Sequence, residues 1–251
     1  MTSDAERLAR ALDGGGQIEA LENHPQTVEA GYALQDEVRA AIGRPIIGWK
    51  LAQTTPKAQA AFGIEAPTVS PLLQGMIVPA DTVFPKGRFY APEIEAEVAL
   101  ELSRPINKPM AKDELIARIG HVRVAIEVAD TRYTDKAKMG VPAVIADMNG
   151  CGALVVGPRL DIANLQDAAT GHAEIRLGDG SIVPQLDLDM RPKPLDVLAF
   201  LVEFVVPRGH TLPAGTIITT GTHTAPTLSG PGLIGARFGE VGRMTARISA
   251  A

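Results

Sequence analysis

Residues 93–102, EIEAEVALEL, place apolar and acidic side chains at alternating positions. The even-numbered positions are all apolar, whereas the odd-numbered positions carry Glu93, Glu95, Glu97 and Glu101, with Ala99 as the exception. A repeat of two residues is typical of a β-strand, because successive side chains point to opposite faces of the sheet. The segment therefore predicts a strand with a buried apolar face, and the chain must cover that face with a second layer of structure.

The acidic face of this strand has two interpretations. In an extended strand, Glu95 and Glu97 project to the same side, with Cα atoms roughly 6.5–7 Å apart. They could lie on a solvated sheet face, where charged side chains are common. Alternatively, the two carboxylates could converge on one bound cation, which would relieve their mutual repulsion.

Residues 121–130, HVRVAIEVAD, repeat this arrangement in a second predicted strand. Glu127 shares its face with Ala125 and Ala129, and small apolar neighbours are unusual beside an acid on a solvated sheet. Carboxylates without His or Cys ligands would suit a hard divalent cation such as Mg²⁺, Mn²⁺ or Ca²⁺. The spacing alone leaves both the cation site and the solvated face open.

The composition argues against nucleic acid and membrane partners. The 251 residues include 24 Lys and Arg and 29 Asp and Glu, for a net charge of −5, and the basic residues are scattered. No apolar run approaches the length of a membrane-spanning helix. The single cysteine, Cys151, excludes an intrachain disulfide and a thiolate metal cluster. With an N-terminal segment that lacks the apolar core of a signal peptide, this predicts a cytoplasmic protein.

The chain is expected to be an α+β protein with a small helical N-terminal segment, residues 1–45, followed by a mixed body, residues 46–251. Apolar periodicity predicts helices within 3–16, 27–45, 111–120 and 194–209. Short apolar runs bounded by Gly and Pro predict strands at 46–52, 76–79, 93–102, 122–129, 153–156, 173–177, 216–220 and 243–248. Strands and helices do not alternate regularly, which argues against a doubly wound nucleotide-binding fold.

A more specific pattern is carried by IGWKLAQTTP at 47–56, EIEAEVALEL at 93–102, AIEVADTRY at 125–133, ADMNGCGALVVG at 146–157 and the segments 193–222 and 241–248. In their order and spacing, these segments resemble the 2-keto-4-pentenoate (2-hydroxypenta-2,4-dienoate) hydratase and 4-oxalocrotonate decarboxylase family of the fumarylacetoacetate hydrolase-like superfamily. The resemblance implies a fumarylacetoacetase C-terminal-like body, a mixed β-sheet in a roll, behind the helical N-terminal part.

The resemblance also implies a divalent cation, Mg²⁺ or Mn²⁺, held by Glu95, Glu97 and Glu127. The lysine of the family's G-[YWH]-K element falls on Lys50. We expect Lys50 to bind the carboxylate or the enolate oxygen of the substrate and to shuttle a proton.

Other family positions extend the predicted site. The E-x-x-D-x-R element falls on Asp130, expected to be catalytic, and on Arg132, expected to bind substrate. Thr220 and Thr222 lie in the glycine-rich segment that closes the family's pocket, and we expect them to contact substrate through hydroxyl or backbone groups.

The implied activity is that of a metal-dependent lyase, a hydratase that adds water to a small 2-hydroxy-2,4-dienoate or 2-oxo-4-enoate acid from meta-cleavage of aromatic compounds. A 2-oxo acid decarboxylase of the 4-oxalocrotonate type, a C–C bond hydrolase and a non-catalytic binding or partner subunit are the alternatives. The resemblance further implies a homo-oligomer, or a complex with a related hydratase or decarboxylase subunit.

Three departures from family patterns bear on this choice. Thr68 stands where the hydratases often have an acid, and 147–152 reads DMNGCG where the family has D-N-A-S-[SA]-G. Both changes touch the expected substrate pocket, so hydratase and decarboxylase both stay open. The hydrolases carry an aspartate in place of Glu127 and use a histidine–glutamate pair, whereas this chain has no histidine between His24 and His121.

Overall fold

The computed structural model describes residues 2–250, which form an α+β architecture of mixed β-sheet and helices. The α-helices in this part of the chain are α1 Asp4–Leu12, α2 Val28–Ile42, α3 Pro56–Phe62, α4 Lys112–Ile116, α5 Gly140–Ala146, α6 Leu165–Thr170 and α7 Pro194–Val205. Single turns of 3₁₀-helix lie at Lys136–Lys138, Met148–Gly150, Ile162–Asn164 and Leu188–Met190.

The strands of the same residues build two sheets. They are β1 Ile46–Ala52, β2 Thr68–Leu73, β3 Ile77–Pro79, β4 Val83–Phe84, β5 Glu93–Leu102, β6 Ile119–Ala129, β7 Cys151–Val156, β8 Ala173–Arg176, β9 Ile182–Val183, β10 Ile217–Thr222, β11 Thr227–Leu228, β12 Gly232–Phe238 and β13 Gly242–Ile248. The main sheet has the order β2-β1-β10-β5-β6-β7-β3, with β11 also paired to β5. The second sheet has the order β4-β13-β12-β8-β9.

The apolar face of β5 and β6 packs against the second sheet. Val98 of β5 and Val124 of β6 share one buried cluster with Ile234 and Phe238 of β12 and Met244 of β13. This is the covering layer that the alternation in 93–102 required.

The opposite face of the same two strands is covered by helices. Ala99 of β5 and Ala125 of β6 share a second buried cluster with Leu8 of α1, Val38 of α2 and Ala143 of α5. The acidic face is therefore enclosed by protein and is not a solvated sheet surface.

Local signals in the sequence set the bounds of the N-terminal helices. Ser3 caps α1 by accepting a hydrogen bond from the Glu6 backbone, and the Glu6 side chain accepts from the Ser3 backbone. Thr27 caps α2, which ends at Gly43 with φ of 68°, a left-handed conformation that favours glycine. The buried Gln35 then ties α2 to the body by donating to Ser70 Oγ at 2.7 Å and to the Ile145 carbonyl at 2.7 Å. The division of the chain at residue 45 stays a prediction.

The predicted strands at 46–52 and 93–102 coincide with β1 and β5, but periodicity missed β2, β12 and α5. In β2 the central Pro71 argues against a strand, because proline cannot donate to a sheet ladder. The structure accommodates Pro71 because β2 is the edge strand of the main sheet. Among residues 2–250, no helix is both long enough and apolar enough to cross a membrane.

Candidate metal centre

The pairing of β5 with β6 brings the predicted ligands together. The register places Glu95 directly opposite Glu127 and Glu97 opposite Ala125. Like charges directly opposite each other on neighbouring strands are destabilising unless something neutralises them. The small alanine beside Glu127 leaves room on this face for the side chain of Glu97.

The three carboxylates converge on one point. One oxygen from each of Glu95, Glu97 and Glu127 lies within 4.8 Å of the others. Glu97 and Glu127 are buried, with 1% and 2% of their surface exposed, and Glu95 is partly exposed. The site is therefore open on the Glu95 side and closed behind the other two residues.

Burial and mutual repulsion perturb these acids strongly. Burial, followed by the charge of Glu127, raises the pKa of Glu95 to about 8. The same two causes raise the pKa of Glu97 well above its ordinary value. A bound cation would stabilise the ionised form of these carboxylates, because its charge offsets the mutual repulsion that raises their pKa values.

Lys50 supplies the one cationic group that bonds directly to this cluster within the described chain. Its ammonium group forms a buried ion pair with Glu127 Oε1 and donates to the Asn149 carbonyl at 3.1 Å. Burial alone would lower the pKa of Lys50, but the charges of Glu127, Cys151 and Glu95 raise it above its ordinary value. Lys50 is therefore a proton-bearing donor in this arrangement.

Glu97 is oriented by an irregular stretch of β10. The pairing of β10 with β5 shifts between Thr219 and Thr222, and within this irregularity the Gly221 backbone donates to Glu97 Oε2 at 3.1 Å. Gly221 has φ of 104°, and a Cβ there would lie 2.3 Å from Thr54 Oγ1. Only glycine fits this position, which sequence reasoning did not assign to the site.

The remaining acids of β5 have other partners. Glu93 pairs with Lys136 at 3.0 Å near the surface. Glu101 is buried and bonded by Arg123 at 2.6 Å and Arg159 at 2.7 Å, so its charge is compensated without a metal. The acids of this face thus fall into two groups. Glu93 and Glu101 are paired with basic side chains, whereas in the described part of the chain the three converging carboxylates share only the Lys50 ammonium group.

Asp130 and Arg132 directly follow β6, the strand that carries Glu127, and both are held by several hydrogen bonds. The Asp130 carboxylate accepts hydrogen bonds from the backbone N–H groups of Tyr90 and Ala91 at 3.0 and 2.8 Å. Arg132 is 2% exposed and bonds to the Asp147 carboxylate at 2.5 Å and to the Cys151 carbonyl at 2.9 Å. These contacts hold the loop after β6, and the roles of Asp130 in catalysis and of Arg132 in substrate binding stay predictions.

The predicted threonines are also engaged with the backbone. The hydroxyl of Thr220 donates to the Val98 carbonyl at 2.8 Å, and that of Thr222 donates to the Thr224 carbonyl at 2.6 Å. Thr220 is fully buried, whereas Thr222 is partly exposed beside Glu97 in the register. Thr68, which stands where the hydratases often have an acid, donates to Gln53 Oε1 at 2.6 Å.

Two other reactive side chains do not fit a catalytic role. Burial raises the pKa of Cys151 to about 12, so the thiol stays protonated. Burial lowers the pKa of His223 to about 4, and its ring packs edge-on against Phe238 at 5.8 Å, on the side of the second sheet. The buried His223 is thus a core residue, distinct from the base that the hydrolase alternative would need.

Asn149 is the second residue at the site that sequence reasoning missed. Its backbone carbonyl bonds to Lys50, and φ at Asn149 is 49°. The only signal in the sequence was that residues 147–152 read DMNGCG where the family has D-N-A-S-[SA]-G.

Comparison with known proteins gives a consistent result. The model of the family described as fumarylacetoacetate (FAA) hydrolase C-terminal matches residues 21–249. A 4-oxalocrotonate decarboxylase of Pseudomonas putida is 30% identical over 88% of this chain and 85% of its own. A 2-keto-4-pentenoate hydratase of Dechloromonas aromatica (strain RCB) is 28% identical over 77% of this chain and 74% of its own.

A solved structure also superimposes over nearly the whole chain. It is 4-oxalocrotonate decarboxylase from Pseudomonas putida G7, complexed with magnesium and adipate, with a TM-score of 0.84 and 27% identity over 97% of both chains. This confirms the predicted fold class and the resemblance from which it was inferred.

Proposed function

The chain belongs to the fumarylacetoacetate hydrolase C-terminal family, and we propose that it is a metal-dependent lyase acting on a small 2-oxo or 2-hydroxydienoate acid. The observation that carries the proposal is the convergence of Glu95, Glu97 and Glu127 on the enclosed face of the sheet. Relatives named as hydratases and as decarboxylases of such acids support it.

The residues present fit a divalent cation. All the converging groups are carboxylates, the donors that hard cations such as Mg²⁺ and Mn²⁺ prefer. When ionised, three carboxylates and the Lys50 ammonium leave two net negative charges, which one divalent cation would neutralise. The raised pKa values of Glu95 and Glu97 are the physical sign of this charge imbalance.

The cation would supply Lewis-acid stabilisation of the negative charge that develops on the 2-oxo oxygen. Lys50 Nζ is placed to bind the anionic end of the acid, because it lies at the carboxylate cluster and keeps its proton. The Gly221 N–H holds Glu97 in position, and the helices over the acidic face exclude water from the rear of the site.

In the hydratase reaction, a dienol tautomerises to an unsaturated ketone, and water then adds to its remote carbon. Lys50 would hold the carboxylate or enolate oxygen during tautomerisation and move a proton there. Hydration is the first candidate because its first step, tautomerisation, uses the proton transfer and the enolate stabilisation described here.

Decarboxylation of a 4-oxalocrotonate-type acid is the second candidate. Two comparisons favour it. A solved decarboxylase structure superimposes over 97% of both chains, and a decarboxylase sequence is 30% identical to this chain. Both reactions pass through an enolate of a 2-oxo acid, so the same carboxylates and lysine would serve either.

A substrate panel tests the proposal. Purified protein is mixed with 2-hydroxypenta-2,4-dienoate or with 4-oxalocrotonate, with Mg²⁺, with Mn²⁺ or with EDTA. Loss of dienol absorbance without gas release indicates hydration, whereas CO₂ release indicates decarboxylation. We expect turnover only with the metal, none in Glu97→Gln, and normal turnover in Glu93→Gln. Full activity in EDTA, or no divalent-cation binding at millimolar concentration, would refute the proposal.

Cytoplasmic location and assembly into homo-oligomers, or with a related subunit, stay predictions.

A further inference from the structure

The turn between α5 and β7 has an unusual backbone beside the metal centre. Met148, Asn149 and Gly150 have φ angles of 52°, 49° and 66° in succession. Non-glycine residues rarely adopt this left-handed region, and such conformations cluster at functional sites when the surroundings enforce them.

The surroundings of this turn include the site lysine. The Asn149 carbonyl accepts from Lys50 Nζ at 3.1 Å, and the Gly150 carbonyl accepts from the Asp130 backbone at 2.6 Å. The Gly150 backbone in turn donates to the Asp147 carbonyl at 2.9 Å. The Asn149 carbonyl is thus bonded to the same ammonium group that bonds to Glu127.

The side chain of Asn149 is enclosed but unsatisfied. The residue is 8% exposed, and within residues 2–250 its amide Nδ2 has no hydrogen-bond partner. A buried amide without a partner costs about 1–3 kcal/mol, and native proteins rarely retain one unless a ligand or water completes it. Glycine would adopt this backbone without strain. Asparagine at this position therefore carries two energetic costs, the positive φ and the unpaired buried amide, and a function for its side chain would explain why it is present.

We propose that Asn149 Nδ2 donates a hydrogen bond to a carboxylate oxygen of the bound 2-oxo acid, beside Lys50. The inference rests on the proposed function and adds a substrate-binding residue to it. Lys50 supplies positive charge at the anionic end of the acid, and Asn149, whose backbone carbonyl bonds to Lys50, supplies a neutral, directional donor from its side chain. Together they favour a planar carboxylate, which accepts from two donors at once.

The test uses oxalate as a mimic of the 2-oxo acid head, titrated calorimetrically into protein saturated with Mn²⁺. Asn149→Gly removes the amide and tolerates the positive φ, while Asn149→Asp keeps the shape and replaces the donor with an acceptor. We expect oxalate affinity to fall about tenfold in Asn149→Gly and at least a hundredfold in Asn149→Asp. Mn²⁺ affinity should stay within about twofold of wild type in Asn149→Gly, because all three carboxylates remain.

Asp81→Gly is the matched control, since Asp81 also has a positive φ, of 64°, is exposed, and has its backbone bonded to Thr245 of β13 in the second sheet. It should bind oxalate as wild type does. If Asn149→Gly and Asn149→Asp both bind Mn²⁺ and oxalate with wild-type affinity, the inference is wrong and a buried water completes the amide. If the wild-type protein fails to bind Mn²⁺, the proposed function itself is wrong, and this inference fails with it.

Discussion

Replacing Glu97 by glutamine should stabilise the metal-free protein while abolishing its response to metal. The converging carboxylate oxygens lie within 4.8 Å of one another, and at that limit two charges repel by about 3.5 kcal/mol at an effective permittivity of about 20. Without metal, protonation of one carboxyl relieves part of this repulsion. That carboxyl would be ionised in the unfolded chain at pH 7, so keeping it neutral in the folded protein lowers the free energy of unfolding. Glutamine removes that cost and can still accept the Gly221 hydrogen bond.

We expect a gain of about 1–3 kcal/mol in the free energy of unfolding at pH 7. For a chain of this size, this corresponds to a rise in Tm of roughly 3–10 °C. Because the folded pKa of Glu97 is raised, wild-type stability falls as pH rises above the ordinary glutamate range. The advantage of Glu97→Gln should therefore shrink toward pH 4, where the wild-type carboxyl is protonated in both states.

Thermal unfolding in EDTA and in a Mg²⁺ or Mn²⁺ series measures both effects. Saturation at one hundred times Kd should stabilise the wild type by about 2.7 kcal/mol and leave Glu97→Gln nearly unchanged. Glu93→Gln is the control, because Glu93 lies on the same strand and face but pairs with Lys136 near the surface. A Glu97→Gln protein that is less stable than wild type in EDTA, or equally stabilised by metal, would refute the reasoning.

Three further outcomes are expected. Lys50→Met should weaken oxalate binding by the Mn²⁺-loaded protein at least tenfold but leave Mn²⁺ binding intact. Lys57→Met is the control because Lys57 is exposed, and equal oxalate affinity in the two variants would contradict the role of Lys50. The pKa of Glu95 is raised to about 8 and that of Glu97 is also raised, so protons compete with the cation for these ligands. Calorimetric metal affinity should therefore rise from about pH 6 to about pH 8, and a flat profile would count against the site. Cys151 is 1% exposed with a pKa raised to about 12, so iodoacetamide should label it only after denaturation, and rapid labelling of the native protein would be inconsistent with this burial.

The sequence by itself determined the strands that carry the site. Alternation in 93–102 and 121–130 placed Glu95, Glu97 and Glu127 on one side of two strands, because side-chain direction in a strand depends only on parity. The resemblance then assigned the family, and the family comparison confirmed it. Periodicity could not separate Glu101 from the ligands, since all the acids share the same parity.

Only the tertiary structure decided which acids form a cluster and what surrounds them. The register of β5 against β6 sets Glu95 opposite Glu127, and the partners of Glu101, Arg123 and Arg159, reach it from other strands and loops. Register, burial and ion pairing depend on contacts between residues far apart in the chain, which a local pattern does not encode. For the same reason Asn149, which lies in the segment 147–152 but was not singled out there, meets Lys50 only because the turn before β7 folds back against β1.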